Sequence, residues 1–411
     1  MFNAANETHF SLTLEDVEHD FKLLEFRGRE AISQPYRFDL ELVSERPDLD
    51  LQALLHKPAF LALDPAGKGI HGLVHRIAQG ESGQRLTRYR LTLVPQLAAQ
   101  VLEEHGIQAD AYRFQLGPVV YPEREYCVQY DETDLHFVQR LCEEEGIHYH
   151  FEHSTAGHVL VFGDDQTSFA RLGQPTAYLQ DNGMTADEPV IKRFAVRIAT
   201  RTSRVSRRDY DFEQPRLRME AAYRGEPAAN AMPQPDLEDY DYPGRFTERA
   251  RGKHLSQRAL ERHRHDYRLA EGDSDQTGLV SGHLLEISDH PRREWNDLWL
   301  LTEVLHEGKQ PQVLEESITS HVDSSDGFVQ GYRNRFSATP WDIPFRPALR
   351  HPKPKVLGSQ TAVVTGPAGE EIHCDEYGRV KVQFHWDRHG QADDKTSCWL
   401  RVSSSWAGDR Y

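Results

Sequence analysis

Over much of this chain apolar and polar residues alternate with a period of two. Val380, Val382, Phe384 and Trp386 fall on one face of a run whose other face carries Arg379, Lys381, Gln383 and His385. Successive side chains of an extended chain point to opposite sides, so this pattern predicts a half-buried strand. Gly378 gives the turn before it the backbone freedom it needs. Tyr36, Phe38, Leu40 and Leu42 alternate in the same way, as do Ile147, Tyr149 and Phe151 with the histidines between them. Strands are also expected over 57–63 and 89–95, near 282–287 and near 299–305. Short strands parted by turn residues predict a barrel or sandwich.

Helical spacing is rarer. Leu51 to Leu55 suits a short helix, and a basic helix is expected over roughly 246–261. The clearest helix follows the capping residues Asp131 to Thr133, with Leu135, Val138, Leu141 and Cys142 on one stripe and Gly146 as its stop. Glu143, Glu144 and Glu145 lie at the negative end of that helix dipole, at a cost of a few tenths of a kcal/mol each. A basic neighbour is therefore expected. Two stretches read as linkers: 226–244, rich in Pro, Ala and acids, and 339–354, with Pro340, Pro344, Pro347, Pro352 and Pro354.

The chain has 411 residues, enough for two to four domains. No apolar run approaches the roughly 20 residues that span a bilayer, and residues 1–10 lack the cationic start and apolar core of a secretory signal. A formal charge of −17 disfavours binding along a polyanion, so no nucleic-acid partner is expected. Cys127, Cys142, Cys374 and Cys398 form no C-x-x-C pair and read as reduced thiols of a protein assembled in the cytoplasm.

Motifs that suggest chemistry fail on context. Gly67 to Gly72 matches G-x-G-x-x-G, but a dinucleotide loop must open a helix, and a strand follows here. Asp273 to Gly278 imitates half a calcium loop, yet its twelfth position is Leu284 where a bidentate Glu is required. His148, His150, His153 and His158 form the tightest histidine cluster; with Tyr149 and Phe151 facing the core, they are expected on the solvent side of the alternation. Glu261 to Asp266 reads as a solvated, ion-paired helix end. No G-x-S-x-G elbow and no cysteine-protease signature are present. No cofactor, metal or catalytic residue is assigned. The alternative from another class is a metal-dependent hydrolase built on His148 and His150.

The run 372–388, followed by 397–402 and 405–408, resembles nearly residue for residue the start of the small barrel in the VgrG family, the spike proteins of type VI secretion and relatives of contractile phage tail hubs. Asp375, Gly378, Arg379, Phe384, Trp386, Trp399, Arg401 and Trp406 carry it there. The resemblance continues in order along nearly the whole chain. It includes Gly28, Pro35 and Tyr36 in the first strands, and His71 and Gly72 in the next hairpin. Phe137, Glu144 and Gly146 carry it in the central helix, and Pro243, Gly244, His290, Pro291 and Asn296 beyond. Gln96 and Leu97 depart from it, since family members often carry an aromatic after the Val-Pro pair.

The resemblance implies a mainly β (α+β) fold with two related β-barrel-like hub domains and small α/β insertions. The expected division is a first hub domain over 1–100, a helix-containing insertion over 101–180, a second hub domain over 181–338, a proline-rich linker over 339–368 and an incomplete OB-fold barrel over 369–411. An OB barrel has five strands, and 369–411 accommodates two or three of them. Puncturing and any C-terminal effector activity are therefore not assigned to these residues. The implied role is structural: a homotrimeric adaptor between a hexameric tube and a membrane-puncturing needle, involved in effector delivery. Implied partners are the tube protein (haemolysin-coregulated protein), baseplate proteins, a PAAR-type tip protein, and effectors with their adaptors. The implied location is the bacterial cytoplasm during assembly, then target cells or medium after export by the type VI apparatus. The alternative within the superfamily is the hub of a contractile phage or bacteriocin particle. Trp386→Ala is expected to cost a complete barrel about 3 to 5 kcal/mol.

Overall fold

The structure is a computed structural model. It describes residues 10–96, 111–124, 126–180, 188–225, 235–314 and 327–403. In chain order the first elements are β1 (Ser11–Leu14), β2 (Lys22–Ala31), β3 (Gln34–Ser44), α1 (Leu51–Leu54), β4 (Pro58–Ala62), β5 (Gly69–Ser82) and β6 (Thr87–Val94). Then come β7 (Tyr112–Gln115), α2 (Asp134–Glu145), β8 (His148–Ser154), β9 (Gly157–Gly163), β10 (Ala170–Arg171), β11 (Thr176–Ala177) and β12 (Ile191–Ile198). β13 (Arg204–Asp209), β14 (Met219–Arg224), β15 (Glu238–Asp241), α3 (Arg249–Arg264), β16 (Arg268–Ser274) and β17 (His283–Ser288) follow. The last are β18 (Leu298–Lys309), β19 (Gly331–Pro340), β20 (Ala362–Thr365) and β21 (Lys381–Phe384). The fold is mainly β, as expected.

The chain divides into two compact units: Met1–Pro118 with Asp134–His351, and Val119–Thr133 with Pro352–Tyr411. Within the first unit one sheet runs β1-β4-β5-β6-β3-β2-β18-β19-β16-β12. Among the described residues this path is open rather than closed into two separate rings. Within it the antiparallel pair β2 and β18 joins strands from the start of the chain to strands from the far end. Alternation explains the burial: Tyr36, Phe38, Leu40 and Leu42 are all at or below 1% exposure while the residues between them face outward. Phe26, Tyr89, Leu91 and Leu93 join them in one core; Phe194, Leu285, Trp299, Leu301 and Phe336 form a second.

Three glycines make this packing possible. Gly28 faces Phe38 across β2 and β3, Gly308 faces Phe26 across β18 and β2, and Gly272 faces Phe336 across β16 and β19. A Cβ at any of them would lie 2.0 to 2.3 Å from the ring. Each ring therefore occupies the space over bare backbone, where a side chain would push it out.

The helix α2 ends in a Schellman motif. Gly146 adopts φ +76°, its N–H donates to Glu143 O at 3.3 Å, and Ile147 N–H donates to Cys142 O at 2.9 Å. Gly146 is thus needed at its position for the left-handed turn.

Two expectations need correction. The stretch 226–244 is not all linker: β15 lies within it and pairs in parallel with β13, while 226–234 lie outside the described residues. The strand expected to begin the small barrel, β21, stops at Phe384, so Trp386 falls in a turn and is 41% exposed rather than on a buried face. There it stacks on Phe384 at 5.1 Å and meets Tyr130 at 4.9 Å. The second unit shows β20 paired with β21 and a bridge from Val380 to Leu400. Residues 119–133, read as part of the insertion, cluster with it; Tyr126 donates its hydroxyl to Thr396 O at 2.7 Å.

Candidate functional site

Among the described residues no catalytic constellation forms. Three buried polar groupings do, and all sit where elements of the first unit meet. The first surrounds the C-terminus of α2. The acidic run does face basic neighbours: Glu145 accepts two 2.7 Å hydrogen bonds from Arg251 of α3. Glu143, 3% exposed, accepts the backbone N–H groups of Arg350 and His351 at 2.9 Å each and contacts the His351 ring at 2.7 Å. Arg262 donates to Glu143 O at 2.6 Å, and Arg346 donates to Gly146 O at 3.2 Å and to Asp164 O. Arg262 adds to the bond that Glu143 O accepts from Gly146, Arg346 satisfies Gly146 O, and both charges oppose the helix dipole.

Arg346 is 3% exposed and bonds Glu261 at 2.6 Å, and Arg258 bonds the same carboxylate at 3.0 Å. The end of α3 is therefore ion-paired and half-buried, where a solvated end was expected. Burial raises the Glu261 pKa against the pull of Arg258, and lowers that of Arg262 to about 10.

The second grouping lies on the joint between β2 and β18. Glu30 and His306 are 3% and 3% exposed. His306 Nε2 lies 3.0 Å from Glu30 Oε1, its Nδ1 lies 2.6 Å from the Tyr332 hydroxyl, and Ser281 N–H donates to Glu30 at 3.1 Å. A buried carboxylate with these partners ties three strands and a loop together.

The third is the histidine cluster, and here the expectation fails. His148 and His150 are 0% and 1% exposed, not on the solvent side. β8 is covered on both faces: Tyr149 and Phe151 pack toward the main core, while His148 stacks on Phe169 at 4.4 Å and His150 lies 5.4 Å from the same ring. Burial lowers the pKa of His148 to about 3 and that of His150 to about 2, the latter helped by His283. Among the described residues no group of three His, Cys, Asp or Glu side chains is arranged to hold a metal. Both imidazoles act as flat, neutral packing groups against an aromatic ring, and the hydrolase alternative gains no site from them.

The false motifs are absorbed into strands. Gly69 to Gly72 lie in β5, paired antiparallel with β4, and Asp273 sits in β16 bound to Arg193 at 2.5 Å.

Most residues singled out by resemblance hold turns or packing contacts. Tyr36 donates its hydroxyl to His71 O at 2.5 Å, and a Cβ on Gly72 would press on Val94 O. Pro35 is the second residue of β3; Phe137 lies under Arg140, which bonds Glu144 at 3.2 Å. Pro243 follows a cis peptide bond, and Gly244 N–H donates to Arg208 O at 2.8 Å. Asn296 clamps His290 from both sides, accepting its N–H at 2.7 Å and donating to its carbonyl at 3.0 Å, with Pro291 exposed between. Asp375 caps the turn at Gly378, accepting N–H groups of Tyr377 and Arg379 at 3.0 and 2.8 Å. Trp399 lies beneath Lys381, Arg401 is exposed, and Trp406 lies outside the described residues.

The model of the phage tail baseplate hub (GPD) family matches residues 29–100 and 94–312. Type VI secretion system spike protein VgrG4b of Pseudomonas aeruginosa is 69% identical over 432 residues, covering 100% of this chain and 53% of that protein. VgrG5 of the same organism is 68% identical, covering 100% and 54%. The chain belongs to the VgrG family of baseplate hubs. It spans about half the length of the curated relatives it matches.

A solved structure of the E. coli c3393 protein shares the fold at TM-score 0.68 and 19% identity, covering 95% of this chain and 92% of that one. That protein is described as a component of the type VI secretion system with structural similarity to T4 bacteriophage tail proteins gp27 and gp5. The VgrG resemblance ran through Glu30, in 26–30, and Arg346, in 345–347, without assigning either a partner, and it did not reach His306; these are the buried groups that join the elements. A lone Arg or Glu inside a strand-rich acidic sequence looks like any surface charge. Only the sheet order brings its partners from some 200 to 280 positions away.

Proposed function

We propose that this chain is the hub portion of a type VI secretion spike, an architectural adaptor with no chemistry of its own. In the whole protein three copies surround one axis. Two related β modules in each give a pseudo-sixfold ring that seats on a hexameric tube, and residues 369–411 begin the OB barrel leading to the needle. Baseplate proteins, a tip protein, and effectors with their adaptors are the further partners. The apparatus exports the part after assembly in the bacterial cytoplasm.

The observation that carries this reading is the match, along the whole of this chain, to spike proteins at 69% and 68% identity. The sheet supports it: Gly28 beneath Phe38 and Gly272 beneath Phe336 repeat one packing device on either side of the joint. Relatives of that identity favour a secretion spike over the hub of a phage or bacteriocin particle.

The test uses the full-length protein. Light scattering is expected to give the mass of three chains, and immobilised tube hexamers are expected to retain it. A monomer that passes freely over the tube protein would overturn the reading. Residues 1–411 alone are expected to associate weakly, because the needle would supply most of the apolar area between copies.

A further inference from the structure

We propose that His71, His153 and His158 form an acid-released clasp that holds the tip of the β8–β9 hairpin against β5, closed only while all three imidazoles are neutral. His153 and His158 are direct cross-strand partners beside the hairpin turn, and His71 lies on β5.

The hydrogen bonds fix every proton. The backbone N–H of Gln96 points at His158 Nε2 from 3.0 Å, so that nitrogen accepts and the His158 proton sits on Nδ1. This Nδ1 lies 3.1 Å from Nδ1 of His71, which must then accept and carry its own proton on Nε2. The backbone N–H of His71 points at His153 Nδ1 from 3.3 Å, so His153 is protonated on Nε2. That Nε2 is shut off from solvent without a partner among the described residues. A second proton on any ring sets two N–H groups against each other: His158 against Gln96, His71 against His158, or His153 against the His71 backbone.

The surroundings reinforce neutrality. Tyr36 of β3 and Phe151 of β8 cover the rings. His283 of β17 opposes charge on His153, and Lys68, Arg171 and Glu152 line the cleft on that side, with Glu152 held by Arg113. Glu15, after β1, favours charge on His71 but is outweighed by burial. Burial lowers His158 to about 4 and puts His153 well below its ordinary value. The neutral form therefore holds the closed tip fully above pH ~6.5, the ordinary imidazole value, and the hold is lost as pH falls toward 4.

Hydrogen exchange on the 411-residue chain, corrected for the intrinsic pH dependence of exchange, tests this. Amides of residues 153–158 are expected to open about tenfold more per pH unit below about pH 6, for each proton taken up. They should do so before amides of residues 148–150. His153→Asn and His158→Gln keep an acceptor but take up no proton, so each is expected to flatten the slope. A flat profile, opening of the whole strand at once, or an unchanged slope in the variants would overturn the proposal. Should a variant fail to fold, nitrogen chemical shifts of the wild-type rings decide. Protons on Nδ1 of His158 and Nε2 of His71 and His153 at pH 7 support the clasp; any other pattern overturns it.

Discussion

Gly28 shows how much one missing methyl group can carry. The Phe38 ring occupies the space a Cβ would take, at 2.0 Å. Gly28→Ala is expected to lower unfolding stability by about 1 to 3 kcal/mol through overpacking, read from a urea titration. Sequence resemblance marked Gly28, but Gly272 and Gly308 went unmarked although they do the same work. Their partners are set by register, and register is invisible until strands are paired. His148 and His150 escaped for a related reason. Alternation tells two faces apart, but it does not tell whether Phe169, about twenty positions on, covers the second one.

Among elements, α2 was the most legible. Its stripe, its capping residues and Gly146 are all local signals, and the structure places the helix at Asp134–Glu145. Its acidic end was read as needing a basic neighbour, and α3 supplies Arg251. What stayed hidden were the partners of Arg346, delivered from the proline-rich stretch after β19 to Gly146 O and Glu261. Arg346→Ala is expected to leave a buried carboxylate short of a partner and to cost about 3 kcal/mol, measurable in the same titration.

The strand β8 carries a second element-scale expectation. His148 and His150 titrate near 3 and 2 when folded, below their ordinary 6.5, so folding requires the neutral forms. Stability is full above pH ~6.5 and falls by about 1.4 kcal/mol per pH unit for each of them below it. The urea midpoint should decline steadily from pH 6.5 to 4, and His150→Phe should reduce that decline.

At the scale of the molecule, the mainly β class and the chain-long order of motifs could be read from sequence. That early and late strands share one sheet could not, since no local pattern records which strand lies beside which. The joint of β2 and β18 is where this matters most. Glu30→Ala strips His306 and Ser281 N–H of their shared acceptor at that joint and is expected to cost about 3 kcal/mol. Broadened amide signals along both strands, with those of β13–β15 unchanged, would mark the joint as the part that loosens.

The same seam bears on how the chain is born. Glu30 waits for His306, which leaves the ribosome 276 residues later. At about 5 to 20 residues per second that delay is roughly 14 to 55 s. Throughout it the outer edge of Lys22–Ala31 offers bare amides to any passing strand, so covering that edge with a chaperone during synthesis is expected to lower aggregation of the nascent chain.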